Sequence, residues 1–290
     1  RRLLSTVNDI LDLRQIENSS LTLSRSRVPI ARLVEVGVDS LRVQAEEKHI
    51  LMVMCKPNWT AFVHCDTHRL ERVILNIVGN AIKFTPEGGS IAIDLERDTT
   101  DTGQIVIHVR DTGIGIPPEA LDRIAVRFFK VGDQPTGSGL GLAISRELIE
   151  LHGGKLLIES PVPGTDRGTQ VSVVLPLAPP PRALIVSAEA GLLEQLHRVC
   201  TEQGIPASHC PDVRSMDQAC RQDPPDLLIL DQNLPGTSGM ELILQIRDDR
   251  RMNRLPVILL ADDSLTRPQL DMLRAFQIPL VPKPLRDPVL

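Results

Sequence analysis

No run of about 18 apolar residues occurs in these 290 residues, so nothing reads as a membrane-spanning helix, and the first residues lack a signal-peptide pattern. The segment is expected to be soluble and cytoplasmic, without membrane contact of its own. Neither sign of charge forms a block. Lys and Arg number 32 against 37 Asp and Glu, a formal net charge of −5, and the charges interleave as in "RDDRRMNR" at residues 247–254. Such mixing cannot track a phosphodiester backbone, which excludes nucleic acid as a direct partner. Cysteine is scarce and odd in number (Cys55, Cys65, Cys200, Cys210 and Cys220), with no CxxC pair and no zinc-finger spacing. These thiols are expected to be reduced and in the core. Two phosphate-binding fingerprints are also missing. The third glycine of GxGxxG would fall on Leu142, and Leu156 stands where a Walker loop needs Ser or Thr after Lys155.

What is present is a globular composition, 42% hydrophobic and 24% charged, at a length that suggests two domains. The clearest boundary is the proline run "PLAPPPRAL", Pro176 to Leu184, which is expected to end regular structure. Before it, Leu3, Leu4, Val7, Ile10 and Leu11 recur at helical spacing, predicting an amphipathic helix that ends near Asn18 to Ser20. Strand-like stretches ("LMVMC", "SIAIDLE", "QIVIHVR", "KLLIES", "TQVSVVLP") then alternate with helical ones near residues 30–48, 67–84 and 140–151. That pattern predicts an α+β sandwich with helices on one sheet face. After the prolines, "ALIV", "LLIL", "PVILL" and "IPLV" alternate with helical segments, predicting an α/β doubly wound parallel sheet.

Three segments of the first domain carry chemistry. On the helix "RLERVILNIVGNAIKF", Leu70, Val73, Ile74, Ile77 and Ala81 share a stripe, with Asn76, Asn80 and Lys83 beside it. Two amides and an ammonium suit a hydrated Mg²⁺ and its phosphates, and equally a solvated helix face. In "DTGIGIP", Asp111 follows an alternating strand, and Gly113 and Gly115 allow the backbone to press against a flat ligand. A carboxylate there can accept from an amino group such as adenine's, or simply cap a glycine turn. "GSGLGLAIS" is a glycine loop leading straight into a helix, whose N-terminus offers free N–H groups to phosphate.

In order, "LNIVGNAIKFTPEGG", "DTGIGIP", "RIAVRFFK" and "GSGLGLAIS", closed by "GGKLLIES" and "GTQVSVVLPL", resemble the N, G1, F and G2 boxes of sensor histidine kinases. The resemblance implies a Bergerat-type ATP-binding fold over residues 21–177, of the gyrase and Hsp90 superfamily. It implies that Asn80 coordinates Mg²⁺ with Asn76 one turn before, that Lys83 approaches the phosphates, and that Asp111 binds the adenine amino group. Gly113 and Gly115 would line the base pocket, and Gly137, Gly139, Leu140 and Gly141 the phosphate end of the lid. That lid, about Val131 to Ser138, is short and carries no Arg or Lys. Asn76 in place of a water-activating Glu argues against hydrolysis as the main task.

Residues 1–20 resemble the end of the second helix of a dimerisation and histidine-phosphotransfer hairpin. The phosphoaccepting His is expected upstream of Arg1, since none of the seven histidines has the acid and Thr-Pro context of that site. Past a linker at 178–182, residues 183–290 resemble a response-regulator receiver, flavodoxin- or CheY-like. In it Asp231 would accept a phosphoryl group and Lys283 would pair with it. The acidic pair of receivers is replaced by Ser187 and Ala188, with Glu189 next, the expected hydroxyl is Ala261, and the switch aromatic is Leu280. A degenerate, regulatory receiver is therefore expected, with most of its final helix missing after Lys283.

Together these imply a bacterial hybrid sensor histidine kinase using Mg-ATP. It would form a homodimer through the hairpin and signal to a response regulator, a histidine-phosphotransfer protein or another sensor kinase, with the whole protein anchored in the inner membrane. The alternative is a nucleotide-binding, non-catalytic regulator that pairs with another kinase.

Overall fold

The computed structural model describes residue 14 and residues 21–97, 103–129, 139–262 and 264–285. The expected helix of residues 1–20, Arg14 apart, and the lid with Gly137 lie outside the described residues. So does Asp263. Internal contacts divide the chain into two units that meet between Pro179 and Pro180. Among the described residues no helix is long and apolar enough to cross a membrane.

The first unit contains strands β1 (Ser26–Pro29), β2 (Leu51–Cys55), β3 (Phe62–Cys65), β4 (Ser90–Arg97), β5 (Gln104–Asp111), β6 (Lys155–Glu159) and β7 (Thr169–Ala178). Its helices are α1 (Ile30–Glu47), α2 (Thr67–Phe84), the single turn α3 (Pro118–Leu121) and α4 (Gly141–Leu151). The strands form one sheet in the order β1-β3-β7-β5-β4-β2, with β6 also paired to β7. Only the β2–β4 pair is parallel. Alternation decides the core face. Ile91, Ile93, Ile105, Ile107, Val173 and Leu175 are buried in one cluster with the apolar stripes of α1, α2 and α4. Each such side chain contributes roughly 1.5–3 kcal/mol of burial.

The α2 helix begins where the Asp66 carboxylate accepts from the Arg69 N–H at 3.1 Å, and it ends at Thr85, whose extended backbone suits the following proline. The proline run does not end β7 where expected. The strand passes through Pro176 to Ala178, with Pro176 opposite Gln104. Leu177 N–H points to Gly103 on the β5 side, so position 176 faces the other edge. There β6 pairing has stopped at Val174 and β3 pairing starts at Leu177, so the missing donor of Pro176 is not needed. Strands β1 and β3 have only four residues each, too few to reveal a period.

The second unit runs β8 (Ala183–Val186), α5 (Ala190–Glu202), β9 (Ala207–Cys210), α6 (Val213–Gln222), β10 (Leu227–Asp231), the two-residue strands β11 (Asn233–Leu234) and β12 (Thr237–Ser238), α7 (Gly239–Asp248), β13 (Val257–Ala261), α8 (Arg267–Ala275) and β14 (Leu280–Pro282). The order β14-β13-β10-β8-β9 is wholly parallel. Its carboxyl edge brings the ends of β8, β10, β13 and β14 together, the crevice where such sheets hold their chemistry. Strand β9, "ASHC", is unreadable as a strand from sequence because only its last residue is buried.

Candidate functional site

The first site lies between α2, the loop after β5 and the start of α4. Asp111 is the last residue of β5 and is 7% exposed. Its Oδ1 accepts from the N–H of Gly113 at 2.8 Å and of Thr169 at 3.2 Å. Its Oδ2 has no protein donor among the described residues. Burial pushes this carboxyl above its ordinary value, and the two N–H donors pull against that shift. The group is an aimed acceptor with one oxygen held and the other available.

Gly113 permits that arrangement. A Cβ there would lie 2.6 Å from Asp111 Oδ1 and 2.8 Å from the Phe84 carbonyl oxygen at the end of α2. The Ile114 N–H donates to that same carbonyl at 3.3 Å, so the loop is fastened to the helix. Gly115, at φ +74°, continues the loop, and the Ile116 N–H donates to Ser160 Oγ at 2.8 Å.

At the other end, Asn76 donates through Nδ2 to Ser145 Oγ of α4 at 2.9 Å. A Cβ on Gly141 would lie 2.2 Å from Asn76 Oδ1, so a side chain there would push the Asn76 amide from its place beside Ser145. Asn80 is half-buried one turn further on, and Lys83 is exposed, its ammonium 4.4 Å from the centre of the Phe84 ring. From Asn76 to Phe84 the helix advances about 12 Å. The carboxylate end and the amide end of the site are thus separated along one rigid helix. Gly139, at φ +72°, accepts from the Phe128 N–H at 3.0 Å, and Leu140 is buried just before α4. Arg127 holds Glu147 of α4 by two hydrogen bonds of 2.9 and 2.8 Å.

Sequence reasoning missed four contributors: Thr169, Gly168, Ser160 and Ser145. Gly168, at φ +83°, brings its backbone so close to Asp111 that a Cβ would sit 2.0 Å from the Asp111 carbonyl oxygen. The signal was there in "GTDRGTQ", a glycine immediately before a strand, but its partner lies 57 positions earlier.

The second site is the carboxyl edge of the parallel sheet. Asp231 closes β10 and is 2% exposed. Lys283 Nζ stands 2.6 Å from its Oδ1, which also accepts from the Asn233 N–H at 3.0 Å. Oδ2 accepts from the Ser187 hydroxyl at 2.8 Å, and Ser187 Oγ in turn accepts from the Glu189 N–H at 3.1 Å. Lys283 also reaches the exposed Glu189 at 3.4 Å. Asp262, beyond β13, is bound to Ser264, and that hydrogen bond holds its carboxyl below the ordinary value, with smaller help from Lys283. Ser187, read in sequence only as the loss of an acid, is a direct ligand of the buried carboxylate.

Residues 65–179 match the family of histidine kinase-, DNA gyrase B- and HSP90-like ATPases. Residues 183–290 match the response regulator receiver domain. The sensor histidine kinase AruS of Pseudomonas aeruginosa is 32% identical over 84% of this chain and 26% of its own length. The histidine protein kinase DivJ of Caulobacter vibrioides is 35% identical over 60% of this chain and 29% of its own. Among solved structures, full-length ShkA in complex with AMPPNP is 26% identical, with a TM-score of 0.53, over 98% of this chain and 59% of that one. The chain therefore spans between a quarter and a third of these two curated relatives.

Proposed function

We propose that this chain, which belongs with the hybrid sensor histidine kinases in carrying an ATPase domain of that type ahead of a receiver domain, binds Mg-ATP and serves phosphoryl transfer to a histidine. The observation that carries this reading is Asp111, buried beneath a glycine loop with Oδ1 held and Oδ2 open. Oδ2 then accepts from the exocyclic amino group of adenine, while the loop from Gly113 to Gly115 lies along the base. Gly139, Leu140 and Gly141, with Gly137 as the resemblance implies, would bring the phosphates to the N-terminus of α4, where the helix dipole favours anions.

The donor set at the other end suits a hard, hydrated cation. Asn80 would hold Mg²⁺, with Asn76 beside it, and Lys83 would add its charge near the phosphates. Magnesium, when bound, neutralises charge gathering on the phosphoryl oxygens. Transfer breaks the bond between the γ-phosphorus and the bridging oxygen and forms one to an imidazole nitrogen, with ADP leaving. The accepting histidine would be the one that the resemblance places on the first helix of a dimerisation hairpin, of which residues 1–20 would form the end of the second helix.

In the receiver, residues 183–290, Asp231 and Lys283 form the acid and ammonium pair at which phosphoryl chemistry would occur. Among the described residues no group of three metal-ligating side chains gathers at Asp231. Both carboxylate oxygens have partners, and Ser187 and Ala188 replace the acids that would share an ion. The receiver is therefore read as regulatory, joined through the prolines that follow β7. Partners would be a second copy of the chain and a response regulator or histidine-phosphotransfer protein, or another sensor kinase.

The test is incubation of the full-length protein with Mg²⁺ and ATP labelled at the γ-phosphate, scoring acid-labile, alkali-stable label. Phosphohistidine supports the kinase. Nucleotide binding without label, with candidate partners present, would replace it by a nucleotide-sensing regulator of another kinase.

A further inference from the structure

An α-helix leaves its last four carbonyls without intrahelical donors. At the end of α2 all four are occupied, and by different parts of the fold. Ala81 O accepts from the Thr85 N–H at 3.0 Å and the Thr85 hydroxyl at 2.7 Å. Ile82 O and Lys83 O both accept from the Lys48 ammonium, at 2.8 and 2.9 Å. Phe84 O accepts from Ile114 of the glycine loop. Lys48 follows the last residue of α1, so its side chain reaches from another helix to the end of the one that carries Asn76, Asn80 and Lys83.

The turn around Lys48 grips the same region at further points. His49 lies 3.0 Å from Glu87, and the Leu51 N–H donates to the Gly89 carbonyl at 3.0 Å. Lys48 brings its positive charge directly onto two of these carbonyls, where the negative end of the helix dipole lies. The charge-assisted bonds tie the last turn of α2 to the turn that follows α1. The next carbonyl along, that of Phe84, is the one that seats the Asp111 loop.

We propose that Lys48 is a positioning residue for the nucleotide site. It fixes the spacing between the amide end, at Asn76 and Asn80, and the carboxylate end, at Asp111, without touching nucleotide itself. This rests on the Mg-ATP reading given above, and the experiment separates the two. Lys48 is half-buried and donates to backbone atoms only, so Lys48→Met keeps the bulk of the stem while removing the donors. Lys48→Arg retains charge and two donors.

The measurement is titration calorimetry of ATP with the intact chain, with and without Mg²⁺, alongside thermal unfolding without nucleotide. The expected result is a rise in Kd for Mg-ATP of about tenfold in Lys48→Met, the size of one charge-assisted hydrogen bond. The gain in affinity that Mg²⁺ brings should shrink, because Asn80 is displaced relative to Asp111, and Lys48→Arg should recover most of both. Unchanged Mg-ATP affinity in Lys48→Met overturns the inference, as does a lowered unfolding midpoint with the Mg²⁺ gain intact, since that marks a merely structural role. Failure of the wild-type chain to bind ATP refutes the nucleotide reading itself.

Discussion

Replacing Lys283 by Met tests whether the receiver site is held together by one ion pair. Asp231 is 2% exposed, the Lys283 side chain is 15% exposed, and the two charges stand 2.6 Å apart. Removing one partner of a buried pair costs about 3–5 kcal/mol, because the remaining charge keeps its desolvation penalty. The lower end applies here, since the Ser187 hydroxyl and the Asn233 N–H continue to donate to the carboxylate. For a unit of this size a loss of about 3 kcal/mol lowers the unfolding midpoint by roughly 10 °C or more. Scanning calorimetry of the whole chain should show this in the receiver transition and leave the ATPase transition in place. The double variant Lys283→Met with Asp231→Asn should recover about 2 kcal/mol, because the uncompensated charge is gone. A loss below about 0.5 kcal/mol in the single variant, or strict additivity in the cycle, would refute the claim that Lys283 neutralises Asp231.

Asp111→Ala should weaken ATP binding by roughly 10- to 100-fold, the worth of a hydrogen bond to a charged group, read by calorimetry with adenosine diphosphate as a second ligand. Gly113→Ala should abolish nucleotide binding and destabilise the domain by about 1–3 kcal/mol in denaturant melts, since the added methyl meets Asp111 Oδ1 and the Phe84 carbonyl. His152, 3% exposed, accepts from the Asp66 N–H at 3.0 Å and faces the Leu148 carbonyl at 2.7 Å, with Asp66 and Arg25 the nearby charges. Burial lowers its pKa below the usual 6.5, so the protonated form is favoured in the unfolded chain. Stability is expected to be full above pH 6.5 and to fall as the pH drops towards the lowered folded value, and His152→Gln should remove that dependence in urea melts between those limits.

Patterns of period two and near four carry most of the fold in the sequence itself. The alternation of Ile105, Ile107 and Val109 and the stripe of Leu70, Val73, Ile74, Ile77 and Ala81 name the faces that enter the main apolar core. The same local reading places Asp111 at a strand end, and Asp231 at the carboxyl edge of a parallel sheet, since both follow apolar strands directly. Four-residue strands such as Phe62–Cys65 and Ala207–Cys210 escape it, having too few positions to show a period. So does the continuation of β7 through Pro176, which depends on a gap between two other strands.

Whatever depends on the meeting of distant segments was left for the tertiary structure to decide. Lys48 belongs to the α2 helix end only because α1 and α2 pack side by side. Thr169 reaches Asp111 through the pairing of β5 with β7, and Ser145 reaches Asn76 through the crossing of α4 on α2. Ser187, in sequence merely an acid that is absent, becomes in space the hydroxyl that occupies Asp231 Oδ2. Periodicity reports which side of an element faces inward. A hydrogen bond also requires two atoms within about 3 Å, and that distance is set by how whole elements pack.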